Sequence, residues 1–252
     1  MEILVTNDDG WGSKGILTLA RLMTQLGHVT VVAPEEPQSG MGNAISVQQY
    51  LYLRPLDNPK WGEKSWQKKV DVYTTNGTPS DCIKMALNIL YEGDDSRCDL
   101  VASGINHGSN TSINVIYSGT MGACFVAAEH GIPAIGFSLC AHGEDLDFRN
   151  FEPYVVEIAR NIIQKSVPYG ICYNVNAPIG EIQDVRWTRQ ACGHWEREME
   201  KCVDEYGAEF YHLVGEFVNH EPDAEDTDEW AVQHGCISIQ PCTIDRTAYE
   251  QV

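Results

Sequence analysis

The chain has 252 residues and carries 36 Asp and Glu against 17 Lys and Arg, a formal net charge of −19. A field of that sign repels nucleic acid and anionic membrane surfaces, which excludes a broad polymer-binding face. No apolar run approaches the ~20 residues needed to cross a bilayer, and Glu2 stands where a secretory signal would be basic, so the expected location is the cytoplasm.

Glu2–Thr6 reads as a first strand, and Thr6-Asn7-Asp8-Asp9-Gly10 follows its apolar run Ile3-Leu4-Val5. Ile16, Leu19, Ala20, Met23 and Leu26 recur at helical spacing, with Gly27 where a helix ends. Val29–Ala33 is a short buried strand closed by Pro34, and residues 34–46 form a loop around Ser39. Ser46–Arg54 alternates enough for a strand, and the stretch 55–69 reads as an exposed excursion. Val70–Thr74 is again a strand. Thr78-Pro79-Ser80-Asp81 starts a helix running to about Tyr91, with a hydroxyl cap, proline at the first position and an acid at the third.

Leu100–Ala102 is a strand, 103–118 a loop, 119–130 a helix ended near Gly131, and Ala134–Leu139 a strand. A helix over 152–165 and a strand at Ile171–Val175 continue the rhythm. After Pro178 the pattern becomes mixed polar and aromatic, and 182–218 reads as hairpins projecting from the core. The acidic run Glu221, Asp223, Glu225, Asp226, Asp228 and Glu229 reads as a solvated loop, ahead of a last strand at Cys236–Gln240. This alternation predicts an α/β fold: one Rossmann-like, mainly parallel, doubly wound sheet with projecting C-terminal β-hairpins. A single unit over 1–252 is expected, with a core over 1–180, a projecting oligomerisation extension over 181–235, and a returning strand and tail over 236–252.

Nine cysteines at 82, 98, 124, 140, 172, 192, 202, 236 and 242 make an odd, widely spaced set with no Cys-x-x-Cys, which argues against a disulfide scaffold and a zinc site. Cys124 and Cys172 lie in apolar segments and are expected as small core residues.

Chemistry is expected where strands end, because ligands of open parallel sheets bind at the carboxyl ends. Asp8 and Asp9 are two adjacent carboxylates beside a buried strand, and a divalent cation is the partner that neutralises them. Ser39 and Asn106 can complete the oxygen ligands, with Gly40 and Gly42 letting backbone approach a ligand. All-oxygen ligation favours one Mg²⁺, Mn²⁺ or Ca²⁺ per subunit. Tyr117-Ser118-Gly119-Thr120 runs into a helix N-terminus, whose free N–H groups and two hydroxyls suit a phosphate. Asn110 offers an amide to the same anion, and His107 is a candidate proton donor. Each segment also has a plainer use as turn, loop or helix cap.

These residues resemble the SurE (survival protein E) family, nearly end to end. The matching segments are Ile3–Gly10, Ala33-Pro34 through Gln38-Ser39-Gly40, Gly77–Cys82, Ser103–Asn110, Tyr117–Thr120, Asn174–Pro178, and Asp226-Thr227-Asp228 leading to Ile237–Pro241. The resemblance implies that Asp8, Asp9, Ser39 and Asn106 hold a divalent metal and that Asn110, Ser118, Thr120 and the neighbouring Gly119 and Gly40 contact the substrate phosphate. It implies hydrolysis of nucleoside 5′- and 3′-monophosphates, with short polyphosphate trimmed by some members. A Rossmann-like core and homodimers or homotetramers built through exchanged C-terminal segments are implied too. Cys192-Gly193-His194, Tyr211-His212 and Met121–Cys124 depart from the family's usual residues, away from the metal set.

Two other readings compete. Gly10-Trp11-Gly12 with Gly15 is a poor dinucleotide fingerprint, and a Walker loop is absent. That first reading is a nucleotide-sugar or dinucleotide-using enzyme on the same core. The second is an acidic nucleotide-binding or metal-sensing module without turnover. The intact Asp8-Asp9 pair argues against it, because a sensor needs no open coordination position. The missing Asp-x-Asp-x-Thr spacing favours attack by water over attack by Asp8.

Overall fold

In the computed structural model, residues 1–57, 61, 66, 69–141, 143 and 146–249 are described. A nine-stranded sheet organises the chain, in the spatial order β3-β4-β2-β1-β5-β6-β7-β13-β8. Its strands are β1 (Glu2–Thr6), β2 (His28–Pro34), β3 (Leu53–Pro55), β4 (Val70–Thr75), β5 (Leu100–His107), β6 (Ala134–Leu139), β7 (Ile171–Ala177), β8 (Asp184–Trp187) and β13 (Cys236–Thr243). Strands β4, β2, β1, β5, β6 and β7 run parallel. Strand β13 is antiparallel to β7 and parallel to β8, and β3 closes the other edge antiparallel to β4.

Side chains alternate across the sheet and find a helical layer on each face. Ile3 and Val5 point to a core shared with α1 (Lys14–Met23) and α4 (Glu152–Ile163), where Ile16, Leu19, Val155 and Ile162 are buried. Leu4 points the other way, into a core with α2 (Pro79–Met85) and α3 (Gly119–Glu129) that includes Ile83, Met121 and Cys124. All nine cysteines are free thiols, and Cys124 and Cys172 are core residues as expected.

Local signals explain the helix starts. Thr78 and Asp81 form a reciprocal capping box with Pro79 in the first turn, and a π-helical turn over Ala86–Leu90 extends α2. Ser13 caps α1, and Ser118 caps α3 by accepting from the Met121 N–H.

Several expectations need correction. The strand expected at Ser46–Arg54 is reduced to Leu53–Pro55, because only that segment meets β4. The excursion expected at 55–69 is not wholly exposed: Trp61 is buried against the α1-side core, while 58–60, 62–65 and 67–68 lie outside the described residues. Strand β5 does not stop at Ala102. It runs through Ser103–His107, paired with β6, and its register shifts between Gly104 and Asn106.

The antiparallel hairpin pairing expected within 182–218 is present, but it does not take in the whole segment. Its first strand, β8, joins the main sheet. The remainder is a single long hairpin arm whose strands are β9 (Gly193–Glu196), β10 (Met199–Val203), β11 (Glu209–Leu213) and β12 (Glu216–Asn219). One register runs through it, since Glu196 faces Glu216 and Met199 faces Leu213. Positive φ at Arg197 (52°) and Gly215 (152°) interrupts the ladder between the two halves. The acidic run is not wholly solvated either. Thr227 caps α5 (Asp228–Gln233), and Asp228 is fully buried.

Candidate active site

Strand order reverses between β1 and β5: the connection after β1 leads to β2 on one side, while β5 flanks its other side. Such a switch point leaves a crevice beyond the carboxyl ends of the two strands. Asp8 and Asp9 follow β1, and Asn106 and His107 end β5. They border a cavity of about 410 Å³ together with Ser39, Gly40, Asn110 and Ser118.

Asp8 is held from behind. Its Oδ1 accepts the Thr120 hydroxyl at 2.6 Å. A β-carbon on Gly119 would come within 2.9 Å of the Asp8 Cβ, so only glycine permits the helix to start this close. Burial raises the Asp8 pKa to about 6, opposed by the Thr120 hydrogen bond and reinforced by the Asp9 charge. Burial raises Asp9 as well, against the opposing pull of the His107 backbone N–H. Asp9 Oδ2 is buried with no hydrogen-bond partner. Two desolvated carboxylates, one with an orphaned oxygen, fit a bound cation.

Neutral oxygens complete a hard-cation donor set. Ser39 sits on the exposed loop after β2, which is stapled in place by Gln38 N–H donating to the Asp8 carbonyl (2.7 Å) and Gly42 N–H donating to the Tyr117 carbonyl (2.9 Å). Asn106 donates its amide NH2 to the Gly108 carbonyl at 2.9 Å, which leaves Oδ1 as its ligand atom. The donors brought together here, Asp8, Asp9, Ser39 and Asn106, are all oxygen-bearing side chains, which suits a hard cation.

The anion side is built by different elements. Ser118 lies at the N-terminus of α3, where the first-turn N–H groups carry partial positive charge. Asn110 is positioned by two buried asparagines of β7. Asn176 Oδ1 accepts the Asn110 N–H at 2.9 Å, and the Asn174 NH2 donates to the Asn110 carbonyl at 2.8 Å. Asn110's own NH2 donates to Ser138 at 2.8 Å.

Thr120 is fully buried, and its hydroxyl donates to Asp8 in the first turn of α3. The His107 Nε2 is buried without a partner, on the side facing Gly15 of α1, and its ring centroid lies 5.7 Å from that of Phe148. Burial lowers its pKa, an effect the Asp8 charge opposes, and the residue borders the cavity.

Three residues take part here to which the sequence assigned no role at the site. Asp228 accepts from the backbone N–H groups of Ser112 (2.8 Å), Ala191 (2.9 Å) and Glu229 (2.8 Å), tying the Asn110 loop to the root of the arm. Its place inside an acidic run hid it. Asn114 and Trp195 border the cavity and are joined by a 2.8 Å bond from the indole N–H to Asn114 Oδ1. Trp195 comes from the arm, so no local signal linked it to the site.

Comparison with known proteins gives the chain a family. Residues 3–197 match the family model described as Survival protein SurE. The chain belongs to the SurE family. A SurE relative named 5′-nucleotidase SurE, from Flavobacterium psychrophilum, is 44% identical over 99% of this chain and 94% of its own length. A second, from Bacteroides fragilis, is also 44% identical and covers 98% of this chain and 93% of its own. The crystal structure of the SurE protein from Aquifex aeolicus superposes with a TM-score of 0.82 at 31% identity, covering 99% of this chain and 96% of that one. The overall fold is thus shared with that SurE protein, and no helix among the described residues is long and apolar enough to cross a membrane.

Proposed function

We infer that this SurE-family chain is a metal-dependent phosphomonoesterase that hydrolyses nucleoside 5′-monophosphates to nucleoside and phosphate. One observation carries the reading: Asp8 and Asp9, desolvated side by side at the carboxyl end of β1, face a cavity that also holds the start of α3. The relatives named 5′-nucleotidase support it.

Asp8, Asp9, Ser39 and Asn106 would hold one divalent cation, Mg²⁺, Mn²⁺ or Ca²⁺ by donor chemistry. When bound, it supplies Lewis acidity toward a phosphoryl oxygen. The chain's own residues do the rest. Ser118, with Gly119 and Gly40 beside it, and Asn110 receive the phosphate, and Asn174 and Asn176 keep Asn110 from turning away. Thr120 fixes Asp8 as a ligand, which leaves water as the attacking group. Rapid acid quench is expected to find no phosphate on Asp8, and a trapped aspartyl-phosphate overturns that step.

The activity test is phosphate release from AMP, GMP and 3′-AMP with Mn²⁺ or Mg²⁺, with and without chelator. Release that chelator abolishes is the expected result. No release from any mononucleotide with either cation would leave a nucleotide-binding or metal-sensing module.

The arm supports a homodimer or homotetramer. Every residue of β11 is exposed, with Phe210 at 50%, Tyr211 at 61% and Leu213 at 66%, and a lone two-stranded ribbon is marginal in water. Light scattering on size-exclusion eluate is expected to show an oligomer that Phe210→Lys with Leu213→Asp reduces. A monomeric wild-type chain overturns this.

A further inference from the structure

We propose that Trp195, projecting from the root of the arm into the active-site cavity, is the stacking platform for the nucleobase and so sets the preference for nucleotides over other phosphomonoesters. This rests on the nucleotidase reading and extends it to the end of the substrate remote from phosphorus.

The cavity has a chemical gradient. Asp8, Asp9 and Ser118 form its phosphate end, whereas Trp195 and Tyr117 supply aromatic surface to the same space. A volume of about 410 Å³ falls within the range of small-ligand pockets, ~300–1,000 Å³, and leaves room for more than a phosphate. Among the described residues, the cavity border carries no Lys or Arg that would read a second anionic group. A planar, neutral ring system is the substrate portion that an indole face recognises best.

Trp195 is prepared for this use before any ligand arrives. Its indole N–H donates to Asn114 Oδ1 at 2.8 Å, which fixes the ring's rotation. Phe217 packs edge-on, with centroids 5.8 Å apart and planes at 61°. Gly215 presses against the ring so closely that a β-carbon there would reach Trp195 Cε3 at 2.9 Å. The ring is therefore clamped from the arm side, while the residue stays half-buried rather than closed over. A ring already immobilised loses little entropy when a base stacks on it.

The arm consequently contributes to the site, besides offering its outer half to a partner. Asp228 reinforces this link, because it grips Ala191 just before β9 and Ser112 just before Asn114.

The experiment compares kcat/KM for AMP with kcat/KM for ribose 5-phosphate, which keeps the sugar and phosphate and lacks the base. Trp195→Ala and Trp195→Leu are expected to lower the AMP-to-ribose 5-phosphate ratio about ten-fold, mainly through KM for AMP, as loss of one base–aromatic stack requires. Trp195→Phe, which retains a ring and loses the indole N–H, is expected to keep most of the ratio. A structural role for Trp195 would instead depress both substrates together. An unchanged ratio in the alanine and leucine variants overturns the proposal, as does a phenylalanine variant that loses as much as alanine. Failure of the nucleotidase reading shows separately, as wild-type protein releasing no phosphate from AMP. Calorimetric titration of the same variants with AMP and with ribose 5-phosphate then supplies the ratio.

Discussion

The Thr120 hydroxyl donates to Asp8 Oδ1 at 2.6 Å, from a threonine with no solvent exposure. The bond joins the first turn of α3 to the end of β1, so the start of the helix and the Asp8 carboxylate move as one piece. Replacing Thr120 by Val keeps the shape and removes the donor. A hydrogen bond to a charged group contributes roughly 1.5–3 kcal/mol, so the metal concentration for half-maximal activity should rise about ten-fold or more. Thr120→Ser should restore most of the loss. Metal titration of activity and of calorimetric binding checks both.

The elevated Asp8 pKa has a consequence for stability. An acid whose folded pKa lies above its unfolded value binds its proton more tightly in the native state. That stabilisation is fully present below 3.8 and is lost as pH climbs through about 6. Above pH 6 the metal-free protein therefore carries a destabilising term of up to about 3 kcal/mol. Asp8→Asn removes it and should be the more stable protein at pH 7.5, with the gap closing toward pH 4. Adding Mn²⁺ at pH 7.5 should stabilise wild type and leave the variant little changed. Urea unfolding at the two pH values, with and without metal, measures all of this.

Asp228 holds three backbone donors from three separate segments. Asp228→Ala would orphan the Ser112 and Ala191 N–H groups inside the protein. A loss of about 3 kcal/mol is expected from urea unfolding, together with a raised KM as the Asn110 loop loosens. Asp228→Asn, which keeps one acceptor oxygen, should cost less.

Gly15 lies where α1 crosses the shifted register of β5. An added β-carbon would stand 2.0 Å from the Ile105 carbonyl oxygen. Gly15→Ala must push the helix off the strand, at about 2–3 kcal/mol. Calorimetry should show Tm lowered by about 5 °C or more.

Much of this molecule could be read residue by residue. Ile3-Leu4-Val5 before Asp8-Asp9, the Thr78–Asp81 capping box and the apolar spacing of α1 are local patterns with local causes. They suffice for a doubly wound sheet with paired acids at one rim, because burial periodicity and helix capping act over a few residues. What needed tertiary structure were the places where distant segments override local preference. Ser103–His107 has weak strand propensity, yet β6 pairs with it and its shifted register carries Asn106 to the site. Asp228 lies in an acidic run, yet three N–H groups from folded neighbours make its burial tolerable. Thr120 carries no local sign of its bond to Asp8, and Trp195 looks like any aromatic of a ribbon until the arm folds back on the cavity. Strand order and chain reversal decide such contacts, and hydrogen-bond partners more than a hundred residues apart leave no periodic trace in either segment.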